Sequence, residues 1–200
     1  TGVTGTASTS SSSVIVTSVP DAPTIGTATN QGTSRPYNNG QASVAFTAPA
    51  SGGKTITGYT VTSSPGSLTG TGSTSPITVT GLSSGTAYTF TATATNANGT
   101  GSASSASGSI TATTVPQAPT VGTVTTSSPG TASVPFTAGA TGGSSITSYT
   151  VTSSPGSITA SGASSPITVT GLTNGTAYTF TVTATNALGT SAASSSSNSV

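Results

Sequence analysis

Charge is almost absent from this chain. Of its 200 residues only Asp21, Arg35 and Lys54 are ionised at neutral pH, and the formal net charge is +1. That leaves no electrostatic case for binding nucleic acid or an anionic membrane. Cysteine, histidine, glutamate, methionine and tryptophan are missing altogether. Without cysteine there are no disulfides and no thiolate metal sites, and the compartment stays open, because a reducing and an extracellular setting both accept a thiol-free chain. Without His, Cys or Glu, the usual proton-transfer groups and nucleophile–base pairs cannot be assembled. No apolar run approaches the ~20 residues of a membrane span. There is no signal peptide, and Thr1 is not an initiator methionine; a mature product or an excerpt is expected.

Hydroxyls and β-branched residues are what remain. The stretch Gly171-Leu-Thr-Asn-Gly-Thr-Ala-Tyr-Thr-Phe-Thr-Val-Thr-Ala-Thr-Asn-Ala-Leu-Gly-Thr190 has a near copy at 81–100. Tyr88, Phe90, Ala92 and Ala94, and again Tyr178, Phe180, Val182 and Ala184, alternate with threonine. Period two with one apolar side predicts a half-buried strand. Asn96 and Gly99, with Asn186 and Gly189, are expected to close it with a turn. Few charges and much Ser/Thr could suggest disorder, but disordered chains lack β-branched residues in register. Threonine is a good strand former that can face water, so hydroxyls take over the solubilising role of charge.

The repetition is extensive. Residues 57–100 and 147–190 align without gaps at an offset of 90, with 34 of 44 positions identical. Val19-Pro-Asp-Ala-Pro-Thr-Ile-Gly26 returns as Val115-Pro-Gln-Ala-Pro-Thr-Val-Gly122 at an offset of 96. The difference falls in the segment Asn30–Gly40, longer than its counterpart Thr126–Gly130, and a loop absorbs such a change at little entropic cost. Val14-Ile-Val-Thr-Ser-Val19 aligns with Ile110–Val115, and Val200 with Ile110. The expected organisation is therefore 1–19 as the last strand of a preceding repeat, 20–115 as one repeat, and 116–200 as a second with its final strand incomplete. The chain reads as a window on a longer tandem array. Alternatively, the N-terminal strand completes a neighbouring subunit by strand addition.

Within the first repeat the expected strands are Thr24–Thr29, Ala42–Phe46, Ile56–Thr62, Ser67–Thr69, Pro76–Thr80, Tyr88–Ala94 and Ser107–Thr113. Seven short strands with turns every 8–12 residues give an all-β chain of tandem seven-stranded antiparallel sandwiches. Pro135 replaces Ala45 in the second strand and should cost one ladder bond unless it faces an edge.

These residues resemble the fibronectin type III family. The Pro-rich entry, the Tyr-x-Val third strand and the Gly-Leu-x-x-Gly-Thr-x-Tyr-x-Phe-x-Val-x-Ala-x-Asn-x-x-Gly element of 171–189 carry the likeness. Phe46 and Phe136 stand where that family commonly has a second-strand tryptophan. The resemblance implies that the Tyr88 and Tyr178 hydroxyls bond a backbone group across a bend.

Candidate chemistry is sparse. Lys54 with a serine would be a formal dyad, but a loop lysine after Gly52-Gly53 is the simpler reading. Asp21 could give a calcium ion one ligand, yet Gln117 replaces it at the next joint, and one carboxylate is too few for an oxygen cage. A Lys–Asn cross-link fails in the second repeat, which has no lysine. Asn98-Gly-Thr100 and Asn174-Gly-Thr176 match the glycosylation sequon, but each is also a plain Asn-Gly turn. Tyr37 is the one aromatic outside the core pattern, expected to pack on the sandwich. No Arg-Gly-Asp motif occurs. No catalytic, cofactor-binding or metal-binding residue is assigned, and no cofactor. The chain is expected to be a non-enzymatic spacer or decoration module of an extracellular assembly. The repeats resemble those in virion proteins of tailed bacteriophages, in tail, fibre or surface positions, and those in large bacterial surface proteins. Partners are then other copies or other proteins of that assembly, with a host glycan or protein as a further partner. An adhesin segment and an accessory domain of a secreted polysaccharide hydrolase are the alternatives.

With so few charges to screen, the thermal unfolding midpoint should be the same at low and high sodium chloride. A shift of several degrees would contradict a hydroxyl-solubilised surface.

Overall fold

In a computed structural model, residues 13–200 are described. They form two β-sandwiches in tandem with no helix. In the first, β1 (Thr24–Asn30), β2 (Gly40–Thr47) and β5 (Ile77–Leu82) make one antiparallel sheet in the order β1-β2-β5. The facing sheet has the order β4-β3-β6-β7, from β3 (Ile56–Ser64), β4 (Thr69–Gly72), β6 (Ala87–Asn96) and β7 (Gly99–Thr100), while β8 (Ile110–Thr111) also pairs with β6. The fourth strand lies a few residues later than expected: Ser67 has φ 49° and belongs to the turn that precedes it.

The second sandwich repeats the plan with one break. Its strands are β9 (Thr120–Val121), β10 (Thr125–Ser128), β11 (Thr131–Val134), β12 (Phe136–Thr137), β13 (Ile146–Ser154), β14 (Thr159–Gly162), β15 (Ile167–Thr170), β16 (Thr179–Asn186) and β17 (Gly189–Thr190). Pro135 splits the second strand into β11 and β12, because proline has no N–H to give to the ladder. Its carbonyl still accepts from Gly122 N–H at 2.8 Å, so the strand keeps its course.

The apolar parity of each strand turns inward as the alternation dictates. Phe90, Val44, Val61 and Val79 are fully buried in one sandwich, and Phe180, Val134, Val151 and Val169 in the other. Phe46 and Phe136 each tilt against a tyrosine, Tyr59 and Tyr149, with ring centroids 4.8 and 4.6 Å apart. Burying each Val, Leu, Ile or Phe contributes about 1.5–3 kcal/mol, and in both cores such residues pack beside alanine and tyrosine. The Tyr88 and Tyr178 hydroxyls accept the Ser83 and Thr173 N–H at 3.0 and 3.2 Å, the bond across the bend that the resemblance implied.

The last strand of each repeat departs from a ladder. Ser107–Thr113 was expected to be regular, yet only Ile110–Thr111 is strand. Upstream, contact with β6 recurs every third residue. The N–H groups of Gly101, Ser104 and Ser107 donate to the carbonyls of Ala94, Ala92 and Phe90 at 2.8–2.9 Å. The Ser104 and Ser107 hydroxyls then accept the N–H groups of Ala92 and Phe90. A side-chain oxygen thus stands in for the carbonyl that a period-two strand would have supplied. Repeat two does the same with Ser191, Ser194 and Ser197, whose hydroxyls accept from Ala184, Val182 and Phe180. The spacing Gly-x-x-Ser-x-x-Ser in repeat one and Ser-x-x-Ser-x-x-Ser in repeat two is the sequence signal for this edge.

Of the strand expected over 1–19, residues 1–12 lie outside the described residues. Residues 13–23 carry no strand.

Ser194→Ala should destabilise its repeat by about 1–3 kcal/mol, since it leaves the buried Val182 N–H without a partner. Ser195→Ala, at an exposed neighbouring position, should stay within ~0.5 kcal/mol. Urea unfolding of both variants checks this; equal effects would refute the hydroxyl edge.

Candidate functional site: the joint between repeats

The residues with the most specific polar geometry lie between the sandwiches. Thr114 is fully buried there and Val115 nearly so. Asn186 sits at the end of β16 on the inward parity, where Tyr178, Phe180, Val182 and Ala184 precede it. Its amide nitrogen donates to the carbonyls of Thr114 and Thr141, both at 2.9 Å, and its oxygen accepts the Leu188 N–H at 2.8 Å. Thr114 N–H donates in turn to the Gly142 carbonyl at 2.8 Å. A Cβ on Gly142 would lie 2.5 Å from the Thr114 and Val115 carbonyl oxygens, and its φ is +73°, so both space and backbone require glycine.

The same clamp recurs at the near end of repeat one. Asn96 donates to the Ser18 and Ser51 carbonyls at 2.8 and 2.7 Å, and its oxygen accepts from Asn98 N–H. Ser18 N–H donates to the Gly52 carbonyl at 2.8 Å. Asn96 and Asn186 were read from the sequence as turn formers. They do cap a turn, but they also tie each repeat to the segment that enters it. An asparagine on the apolar parity of a strand was the available signal.

The long loop of repeat one grips the joint from the other side. Its Ser34 N–H donates to the Leu188 carbonyl of repeat two at 2.8 Å, and its Arg35 carbonyl accepts the Val115 N–H at 3.0 Å. Asn38 exchanges two bonds with Ser84, and Asn30 bonds the side chain and the N–H of Thr113. Gly32 lies so close to Thr113 that any Cβ would overlap its carbonyl. Ser34 and Asn38 adopt φ of 57° and 58°, a conformation that costs about 1–2 kcal/mol per residue outside glycine and is held by these bonds. The loop is a buttress.

The other candidates are dispersed. Asp21 and Lys54 are exposed, and Tyr37 is half-buried. Gln117, in Asp21's place, accepts the Ala140 N–H at 3.2 Å through its side chain. Asn98 spends its amide nitrogen on Thr17 and Ser18, both at 3.0 Å. Asn174 lies on an exposed turn. A cleft of ≈ 610 Å³ opens at the far end of repeat two, beside Gly130, Leu172, Gly175, Thr176, Tyr178 and Val200. There the Thr173 N–H, donating to the Tyr178 oxygen, holds that phenol below the ordinary tyrosine value, with the Thr173 and Thr176 hydroxyls adding to the effect. Hydroxyls and amides of this kind can bind through hydrogen bonds.

The fold and joint define a tandem array of antiparallel sandwiches with a built connection between neighbours. The chain belongs to the fibronectin type III family, whose domain pattern matches residues 22–110 and 117–200. Among solved structures, the titin kinase with its flanking domains is 29% identical, with a TM-score of 0.39 over 43% of this chain and 17% of that one. The chicken CNTN1 FN1–FN3 domains are 18% identical, with a TM-score of 0.44 over 90% of this chain and 65% of theirs. The chain thus spans less than two thirds of either. No curated protein matches it.

Removing residues 33–38, so that the loop of repeat one has the length of its counterpart, should leave both sandwiches folded and loosen the joint. Distances between spin labels on the two repeats should broaden in the variant; an unchanged distribution would refute the buttress.

Proposed function

We propose that the chain is a non-enzymatic spacer of an extracellular assembly, in which each repeat is set at a fixed attitude to the next. The carrying observation is the clamp that Asn186 makes on Thr114, built again by Asn96 on Ser18. A joint made twice with the same bonds is what an array needs to transmit direction as well as reach. Family membership supports the coarser part of this reading, since such domains are generally structural or adhesive modules. The likeness of the Ser/Thr/Gly-rich repeats to those of tailed-bacteriophage virion proteins favours a tail, fibre or capsid-surface position, with large bacterial surface filaments as the second setting. Residues 1–19 then belong to a preceding repeat, and the partners are other copies or proteins of the same assembly. A surface with almost no lysine, arginine or carboxylate also offers little to charge-directed proteases and little that salt or pH can alter.

Electron microscopy of the native particle, with antibody raised against residues 13–200, tests the placement. Label on a projecting fibre or on the particle surface is the expected result. Label confined to the interior, or to soluble enzyme fractions, would overturn it.

A further inference from the structure

The one arginine of this chain and its one aromatic outside the cores stand in a single turn. Arg35, Tyr37 and Asn39 lie in the segment that lengthens repeat one, and the counterpart Thr126–Gly130 has neither a cation nor an aromatic. We infer that this turn is a binding site for a carboxylated sugar, a uronic or a sialic acid. The inference goes beyond the spacer reading and does not rest on it.

The turn is built to hold its shape. Arg35 N–H donates to the Gly32 carbonyl at 3.1 Å, and Asn39 N–H to the Pro36 carbonyl at 2.9 Å. Two turns therefore follow one another, with Tyr37 and Asn38 at the tip of the second. The first and last Cα atoms of such a turn lie within about 7 Å, so Arg35, Tyr37 and Asn39 are close neighbours. Asn38 is bonded both ways to Ser84, and the backbones of Ser34 and Arg35 are bonded to Leu188 and Val115. A site already ordered by its own bonds loses less on binding.

The groups it presents point to one kind of ligand. Arg35 Nε donates to the Asn39 carbonyl at 3.0 Å, which lays the guanidinium across the base of the turn. Its Nη pair makes no hydrogen bond to another described residue. That fork matches the two oxygens of a carboxylate. The Asn39 side chain is exposed and likewise unpartnered among the described residues, so its amide can both donate to and accept from ring hydroxyls. Tyr37 is half-buried; part of its ring is held by the protein and part is open to the C–H face of a sugar, with a polar tip beside it.

The rest of the surface narrows the choice. The only other cation, Lys54, is exposed, and no hydrogen bond to a described residue fixes it. A peptide with several carboxylates would find one fixed partner and none for the others. A sugar acid brings one carboxylate among several hydroxyls, and the turn offers one fork among amides.

NMR titration of the 200-residue chain tests this, with trigalacturonate and sialyllactose as probes and lactose and a tetraglutamate peptide as controls. At least one acidic sugar should shift the Arg35 Nε–H and the backbone amides of Tyr37, Asn38 and Asn39, saturating with a Kd of about 1 mM. The tighter of the two tells uronic from sialic acid. Arg35→Lys keeps the charge but not the fork, and should weaken binding by more than ~10-fold while the Leu188 and Val115 amides stay in place. Tyr37→Phe should bind as the unaltered chain does, and Tyr37→Ser should not. Equal shifts with lactose or tetraglutamate, shifts centred on Lys54, no shift of these amides with either acid up to ~10 mM, or undiminished binding by Arg35→Lys would each overturn the inference.

Discussion

Every buried polar group in this protein has to be satisfied without charge. A buried N–H or carbonyl left unpaired costs about 1–3 kcal/mol, and a chain with three ionised side chains has no strong ion pairs with which to offset it. The molecule answers with hydroxyls and amides. Among the described residues no buried side-chain nitrogen or oxygen lacks a partner. The serine edge of β6 follows from this demand. An edge segment that advances three residues for every two of its neighbour cannot present a carbonyl at each step, so Ser104 and Ser107 present hydroxyls. The core is sealed along that edge without a conventional final strand.

The joint obeys the same rule. Where the linker passes between sandwiches its carbonyls leave water, and Thr114 is fully buried. Asn186 supplies two N–H donors and one acceptor from one planar group, which a hydroxyl cannot do. Satisfying the backbone and fixing the direction of the next repeat are therefore one act. Rigidity at the joint comes with the hydrogen-bond requirement.

Much of the fold was legible because alternation and turn chemistry agreed. Tyr88, Phe90, Ala92 and Ala94 announced a strand, and each is buried as its parity demands. The break at Pro135 was legible for the same reason, since the missing N–H is a local fact. The final strand was misjudged because its period is three: Ser104 and Ser107 look like loop residues until the neighbouring N–H groups are counted. The clamp was missed because Asn96 and Asn186 satisfied a turn reading that is true but incomplete. Their carbonyl partners lie about 45 and more than 70 residues away in sequence, and nothing local reports such bonds. The buttress was legible only as a length difference.

Part of the sequence drift between repeats is explained by the joint. Position 98 is asparagine in repeat one and position 188 is leucine in repeat two, at the same corner of the module. Asn98 is exposed and spends its amide on Thr17 and Ser18. Leu188 is half-buried, and its carbonyl takes the Ser34 N–H of the long loop. Where a neighbouring loop covers the corner, an apolar side chain gains by burial; where none does, an amide that bonds the entering segment is the better residue. Ser84 and Asn174 differ at the opposite corner in the same way. Ser84 is bonded to Asn38 and Thr114, whereas Asn174 lies on an exposed turn. The core positions that differ, Ala92 against Val182 and Leu68 against Ile158, keep their chemistry. The changes of chemical type at 98/188 and 84/174 lie at ends of the module, and those at 58/148 and 73/163 lie on positions outside the core. That distribution fits a module whose interior is fixed by packing and whose variation lies on its surface and at its connections.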